Sequence, residues 1–243
     1  MGYRLIEVGV KPEPSFIPSS MDGGKQGIDR NERSYYYAAV NAAIAAKQSK
    51  GEETRSQILA AAVEQASTAG FESLTIGTLA EKTGMSKSGL FAHFGSKLDL
   101  QIAALDECAR QFTEAVFLPA LRAPRGVKRL RALFENWITW PQRAKLTGGC
   151  PIDSAGREYA HQPGAMRDAV MERQRLLDRE LSKAAQLAVD AGEFAPHTDP
   201  RQVAFEFVAL VLVFHRSESL LGVEEARKRA RTAFDRLLEQ HRR

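Results

Sequence analysis

The chain has 243 residues, 44% of them hydrophobic, which is enough to bury the core of one large or two modest domains. Lys and Arg number 34 against 30 Asp and Glu, so the net charge of +4 permits nucleic-acid binding without suggesting it. The two cysteines, Cys108 and Cys150, are far apart and form no CxxC, which argues against a disulfide framework or zinc ribbon and fits a reducing, cytoplasmic setting.

Residues 1–50 carry Pro12, Pro14 and Pro18, then Ser19-Ser20 and Gly23-Gly24, with no sustained apolar period. This composition predicts a disordered N-terminal extension, within which the alanine-rich stretch from Tyr35 to Lys47 has helical character. The charged-then-apolar layout of a signal peptide is lacking, and Ile6 stands where a myristoylation signal wants Ser or Thr. Met21 offers an internal start. Lys47, Lys50 and Arg55 read as a solvated linker, with a basic arm entering a minor groove as the alternative.

From Thr54 the pattern changes. Thr54 to Gln57 matches a capping box, and Ile58, Leu59, Ala62, Val63 and Ala66 follow at helical spacing up to Gly70. A second helix is predicted from the N-cap Thr75, with Leu74 stapled to Leu79, an inner face of Ile76, Leu79 and Ala80, and Gly84 as its left-handed stop. A third runs from the N-cap Ser86 to about Phe94, with Met85 and Leu90 as its staple and Gly95 as its end. Ser96 to Asp99 opens a long fourth helix, expected to stop at about Phe117 before Pro119.

Beyond it no run keeps strand period, so the chain is expected to be all-α, with helices at about 125–144, 163–191, 200–219 and 223–241. Pro141 is expected to kink or break the first of these, and Asp199-Pro200 to start the third. Val203 to Phe214, the longest apolar stretch, contains Glu206 and falls well short of the ~20 residues that span a bilayer. It reads as a buried helix, and no membrane association is expected.

Leu74 to Phe94 meets the mechanical demands of a helix-turn-helix. Two short helices that cross closely need a small residue at the contact, supplied by Ala80, and the turn needs a positive φ, supplied by Gly84. Placing Leu90 inward turns Ser88, Gly89, Phe91 and Ala92 outward, with Lys87 and His93 on the flanks. That small, slightly cationic face suits a DNA groove: Lys87 for a guanine edge or phosphate, Ser88 for either, Phe91 for a thymine methyl.

The run Leu79-Ala80, Gly84-Met85-Ser86, Gly89-Leu90-Phe91, His93-Phe94 and Ser96-Lys97-Leu98, then Leu100, resembles the DNA-binding domain of the TetR family of transcriptional regulators. The resemblance implies a helix-turn-helix domain over residues 51–98 and a helical ligand-binding and dimerisation domain over 99–243. It implies phosphate contacts from Thr75, His93 and Lys97, and groove contacts from Lys87, Ser88, Gly89 and Phe91, beside Ser86 at the head of the recognition helix. Lys97 opposes the dipole of the fourth helix, a local cost that a phosphate contact would explain. Phe91 stands where the family usually has tyrosine, which removes a hydroxyl, and Ala92 replaces a frequent second aromatic.

The resemblance further implies an effector cavity among the fourth to eighth helices, for which Phe112, Trp137, Trp140, Cys150, Tyr159, His161 and Phe207 are candidate lining residues, although aromatics at helical spacing are usually plain core. It also implies a homodimer through the last two helices, and Val203 to Phe214, apolar nearly all round, suits burial on two sides. Gly148-Gly149-Cys150-Pro151 reads as a turn, without the Lys-Ser/Thr of a phosphate loop. Cys150, Asp153 and His161 lack any nucleophile-elbow context, so no catalytic residue, metal or cofactor is expected. The expected partners are therefore an operator duplex and an unidentified small molecule. A helical enzyme using the cavity, and an interaction module with a vestigial helix-turn-helix, are the alternatives.

Overall fold

The computed structural model describes residues 50–243. The expected disordered extension, and with it Lys47 as a linker or arm residue, lies outside these residues. Among the described residues every regular element is helical, and the one extended pairing is an isolated bridge between Phe194 and Arg242.

The first helix, α1 (Lys50–Ala69), begins upstream of the expected cap, so Thr54 lies inside it. Glu52 and Glu53 occupy its first turn, where carboxylates favour the helix dipole and carry the helix past the Thr54 box. Gly70 (φ 80°) ends it, and a short 3-10 turn, Phe71–Ser73, leads to α2 (Ile76–Thr83). Thr75 caps α2 in a reciprocal box whose partner is Thr78, with Thr78 N–H donating to Thr75 Oγ1 at 3.0 Å. Gly84 (φ 69°) turns the chain in the left-handed region, and Ser86 caps α3 (Lys87–Phe94) by accepting from Gly89 N–H at 3.1 Å. Ile58, Leu59, Ala62, Val63 and Ala66 of α1, with Phe71, Leu74, Leu79, Ala80, Leu90 and Phe94, form the buried centre of this three-helix unit.

Capped by Ser96, α4 (Lys97–Phe112) does not stop before Pro119. It continues through a π-turn, Thr113–Phe117, into Leu118–Ala120. Proline removes the N–H that Ala115 C=O would have accepted, and Arg143 Nη2 donates to that carbonyl instead at 3.0 Å, while Asn136 Nδ2 serves Val116 C=O at 3.0 Å. Both donors come from α5 (Val127–Arg143), whose own first turn is capped from a distance by Glu193, accepting from Val127 N–H at 2.6 Å. Pro141 is buried inside the last turn of α5 without breaking it.

A short helix that the sequence reading did not include, α6 (Pro151–Tyr159), follows the glycine turn; Pro151 at its first position is the signal that could have revealed it. Then come α7 (Ala165–Asp190), α8 (Pro200–Leu221) and α9 (Val223–Gln240), with Asp199 accepting from Arg201 N–H at 2.9 Å to cap α8. Phe134 of α5 stacks on Phe234 of α9 at 4.0 Å, and Phe207 of α8 meets that pair edge-on, which fixes α5, α8 and α9 as one layer of the core.

Candidate nucleic-acid interface

The outer face of α3 is built by exclusion. Leu90 and Phe94 hold α3 to the core, so the opposite face has nowhere to go but outward: Lys87, Ser88, Phe91 and Ala92 are exposed, and Gly89 and His93 are half-buried. Phe91 is the telling residue, since it is 56% exposed, an unusual setting for an aromatic ring. The Ser86 hydroxyl accepts a backbone N–H as the cap and shares a hydrogen bond with the Ser88 hydroxyl at 3.3 Å, and the Thr75 hydroxyl donates to Thr78 Oγ1 at 3.1 Å within its own box.

Two basic residues stand differently from expectation. Arg55 is neither linker nor arm: it lies on α1 with its guanidinium 5.1 Å from the centroid of the Phe94 ring, a cation–π contact that presents the charge beside the C-terminal end of α3. Lys97 already has an anion, because its ammonium is bonded to the carboxylate of Glu72, which thereby lies below the usual carboxylate range. An intramolecular ion pair thus offsets the dipole cost that a phosphate had been invoked to explain.

Of the candidate effector residues, Phe112, Trp137, Trp140, Cys150, Tyr159 and Phe207 are buried. Phe112 receives Trp137 and Trp140 edge-on at 4.9 and 5.0 Å, and Trp137 lies 6.1 Å from Phe207, so four of them form one aromatic knot. The buried Trp137 indole N–H faces the Cys150 thiol and favours its ionised form. His161 does not join them, because it follows the end of α6 and is exposed. Tyr159 points elsewhere too: its hydroxyl donates to Glu72 Oε2 at 3.4 Å, and burial together with the charges of Glu158 and Glu72 raises its pKa far above the ordinary phenol value. Burial pushes the Cys150 thiol up to about 11, so it is a core thiol rather than a nucleophile.

A cavity of about 20 Å³, room for roughly one water molecule, remains between α4, α6 and α7, bordered by Leu105, Ala109, Phe112, Ile152, Ala155, Val170, Arg173, Gln174 and Leu177. Among the candidates only Phe112 borders it. A larger space of about 540 Å³ is an open polar groove at the surface, beside Arg175, Arg179 and Lys183 of α7 and Arg201 of α8. Among the described residues no cluster of His, Cys, Asp and Glu could hold a metal ion, and no helix is long and apolar enough to cross a membrane.

Residues 58–104 match the family model described as bacterial regulatory proteins, tetR family, and residues 126–234 match the tetracyclin repressor-like C-terminal domain. No curated protein matches the chain. Among solved structures it is similar to a TetR transcriptional regulator from Chloroflexus aurantiacus J-10-FL (24% identity, 78% of this chain and 94% of that one, TM-score 0.69). It is also similar to a TetR family regulator from Cytophaga hutchinsonii (19% identity, 81% and 98%, TM-score 0.69). A third similar structure is AibR in complex with isovaleryl coenzyme A and operator DNA (24% identity, 74% and 94%, TM-score 0.57). The all-helical fold, the exposed recognition helix and the two family models, which between them cover well over half of the chain, lead to one conclusion: the chain is a DNA-binding, helix-turn-helix member of the TetR family of transcriptional regulators.

Proposed function

We propose that this regulator is a repressor that binds a palindromic operator as a homodimer and leaves it when a small molecule enters the C-terminal domain. The observation that carries this reading is the outward face of α3, where Lys87, Ser88 and Phe91 stand exposed above buried Leu90 and Phe94. In this reading Lys87, Ser88, Gly89 and Phe91 enter the major groove, and Thr75, Ser86, His93 and Lys97 hold the flanking phosphates. Residues 51–98 form the DNA-binding domain and 99–243 the effector and dimerisation domain.

An eight-residue helix reads few base pairs, so specificity needs two half-sites and hence two copies. The exposed apolar side chains of α8 support a dimer through the last two helices: Phe205, Leu212, Val213 and Leu220 recur at helical spacing on the side away from buried Val203, Phe207, Val211 and Phe214. For the effector, the support is a small cavity between α4, α6 and α7 that Phe112 of the aromatic knot borders. AibR, a neighbour in fold, is seen with both an acyl coenzyme A and operator DNA. Release requires the effector to prefer a dimer whose recognition helices are wrongly spaced.

The test is selection of bound fragments from genomic DNA by the purified protein, repeated with candidate metabolites. Enrichment of an inverted repeat, lost with one metabolite, is the expected result. Failure to enrich any sequence, or enrichment of a single unrepeated site, would overturn the reading.

A further inference from the structure

The nine residues of α6 touch both halves of the chain, and the end of this helix is committed to the DNA-binding half. The Glu158 carboxylate accepts two successive backbone N–H groups there, Phe71 N–H at 2.8 Å on Oε2 and Glu72 N–H at 2.6 Å on Oε1. These amides open the Phe71–Ser73 turn and have no acceptor within it, as at any helix start. Gly70, at φ 80°, leaves the space the carboxylate needs: a Cβ there would lie 2.9 Å from Glu158 Oε2. Two further contacts brace the same joint. A Cβ on Gly148 would sit 1.7 Å from Ser67 C=O, so the loop before α6 presses bare backbone against the end of α1. Gln101 Nε2 of α4 donates to Phe71 C=O at 2.9 Å.

Earlier on the same helix, Ile152 and Ala155 border the small cavity between α4, α6 and α7. One short helix therefore has cavity wall in its first two turns and a two-pronged anionic clamp in its last. A cavity of about 20 Å³ admits no metabolite without movement of its walls, and charge-assisted hydrogen bonds of this length weaken steeply when an acceptor shifts by an ångström.

We propose that Glu158 is a positioning residue that fixes the angle at which the helix-turn-helix unit stands on its C-terminal domain, and that α6 transmits filling of the cavity to that angle. This rests on the reading of the chain as a dimer that binds paired half-sites. Two recognition helices match one half-site separation only if each joint is stiff; with the clamp open the units sample many angles, and binding becomes weaker and less particular about spacing.

The experiment uses the full chain. The preferred operator is selected with the wild type, and affinities of the wild type, Glu158→Ala and Glu158→Gln are measured for it and for versions with base pairs added or removed between the half-sites. Amide hydrogen exchange at Phe71 and Glu72 is followed in parallel. Glu158→Ala is expected to bind the parent operator about tenfold more weakly, to lose less on altered spacings, and to exchange both amides faster. Glu158→Gln, which keeps one carbonyl acceptor, falls between and serves if the alanine variant does not fold. Ala109→Leu, which fills the cavity from α4, stands in for an effector and should reproduce the faster exchange and flatter spacing profile with Glu158 intact. Faster exchange with an unchanged spacing profile overturns the positioning role, and unchanged exchange in Ala109→Leu overturns transmission through α6. A wild type that selects no paired half-sites overturns the operator reading itself, and is seen before any variant is compared.

Discussion

The ammonium of Lys97 is held by the carboxylate of Glu72, across the joint between the Phe71–Ser73 turn and the first turn of α4. Both side chains are substantially exposed, so the pair contributes little to stability and is free to exchange partners. A DNA phosphate would have to displace Glu72. Lys97→Ala should therefore weaken binding to all sequences alike and lower the salt slope by about 1. Glu72→Gln should do the reverse, tightening binding by freeing the lysine and removing a negative charge near the duplex. Anisotropy titrations across a salt series measure both, and weaker binding by Glu72→Gln would remove Lys97 from the interface.

Phe91 should separate recognition from folding. Because the residue is 56% exposed, Phe91→Ala should shift folding stability by no more than about 0.5 kcal/mol. On DNA the same change should cost about 1–3 kcal/mol of discrimination at one base pair while non-specific binding stays as it was. Thermal melts and competition against scrambled duplex give the two numbers. Equal losses on both duplexes would mean that the ring does not read sequence.

What the sequence revealed was local in origin. Gly84 as a left-handed stop, Thr75 and Ser86 as caps and Leu90 as the inward plug each follow from neighbours within a few residues, and all stand where the periodicity put them. The features that escaped depend on partners far along the chain. The path of α4 through Pro119 relies on Arg143 and Asn136; α6, with Ser154 and Gly156 inside it, has weak propensity and is held by packing against α1, α4 and α7. The partner of Lys97 is invisible for the same reason, and His161 fell outside the aromatic knot because the end of α6 was not foreseen.

Cys150 gives a pH prediction with a definite sign. Burial raises its thiol pKa from 9.0 to about 11, so the fold favours the protonated form. This contribution to stability is complete below the unfolded value of 9.0 and is lost as pH rises through about 11. Cys108, also buried, is raised for the same reason and adds to the trend. Melting temperature should fall between pH 9 and 11, less steeply in Cys150→Ala, and the native protein should resist alkylation at neutral pH. Rapid labelling of Cys150 at pH 7 without unfolding would show that the thiol is accessible and acidic.

The proposed dimer turns on the apolar stripe of α8. Phe205, Val213 and Leu220 are 68%, 61% and 74% exposed in a single chain, while Val203, Phe207, Val211 and Phe214 of the same helix bind it to its own core. Stripping water from such a stripe is worth about 25 cal/mol per Å², and a carboxylate placed in it would have to be buried without a partner. Phe205→Asp and Val213→Asp should therefore sediment as monomers at micromolar concentration. Their helical circular dichroism should be unchanged, since neither side chain supports the single chain. Operator affinity should drop by about a hundredfold or more, the avidity lost when one half-site is bound at a time, while non-specific binding per recognition helix is retained. Sedimentation velocity of the free protein, followed by titration on full and half operators, separates these effects. A Val213→Asp variant that remains dimeric would move the interface off α8, and one that is monomeric yet binds the full operator as tightly as the wild type would end the argument that two copies are needed.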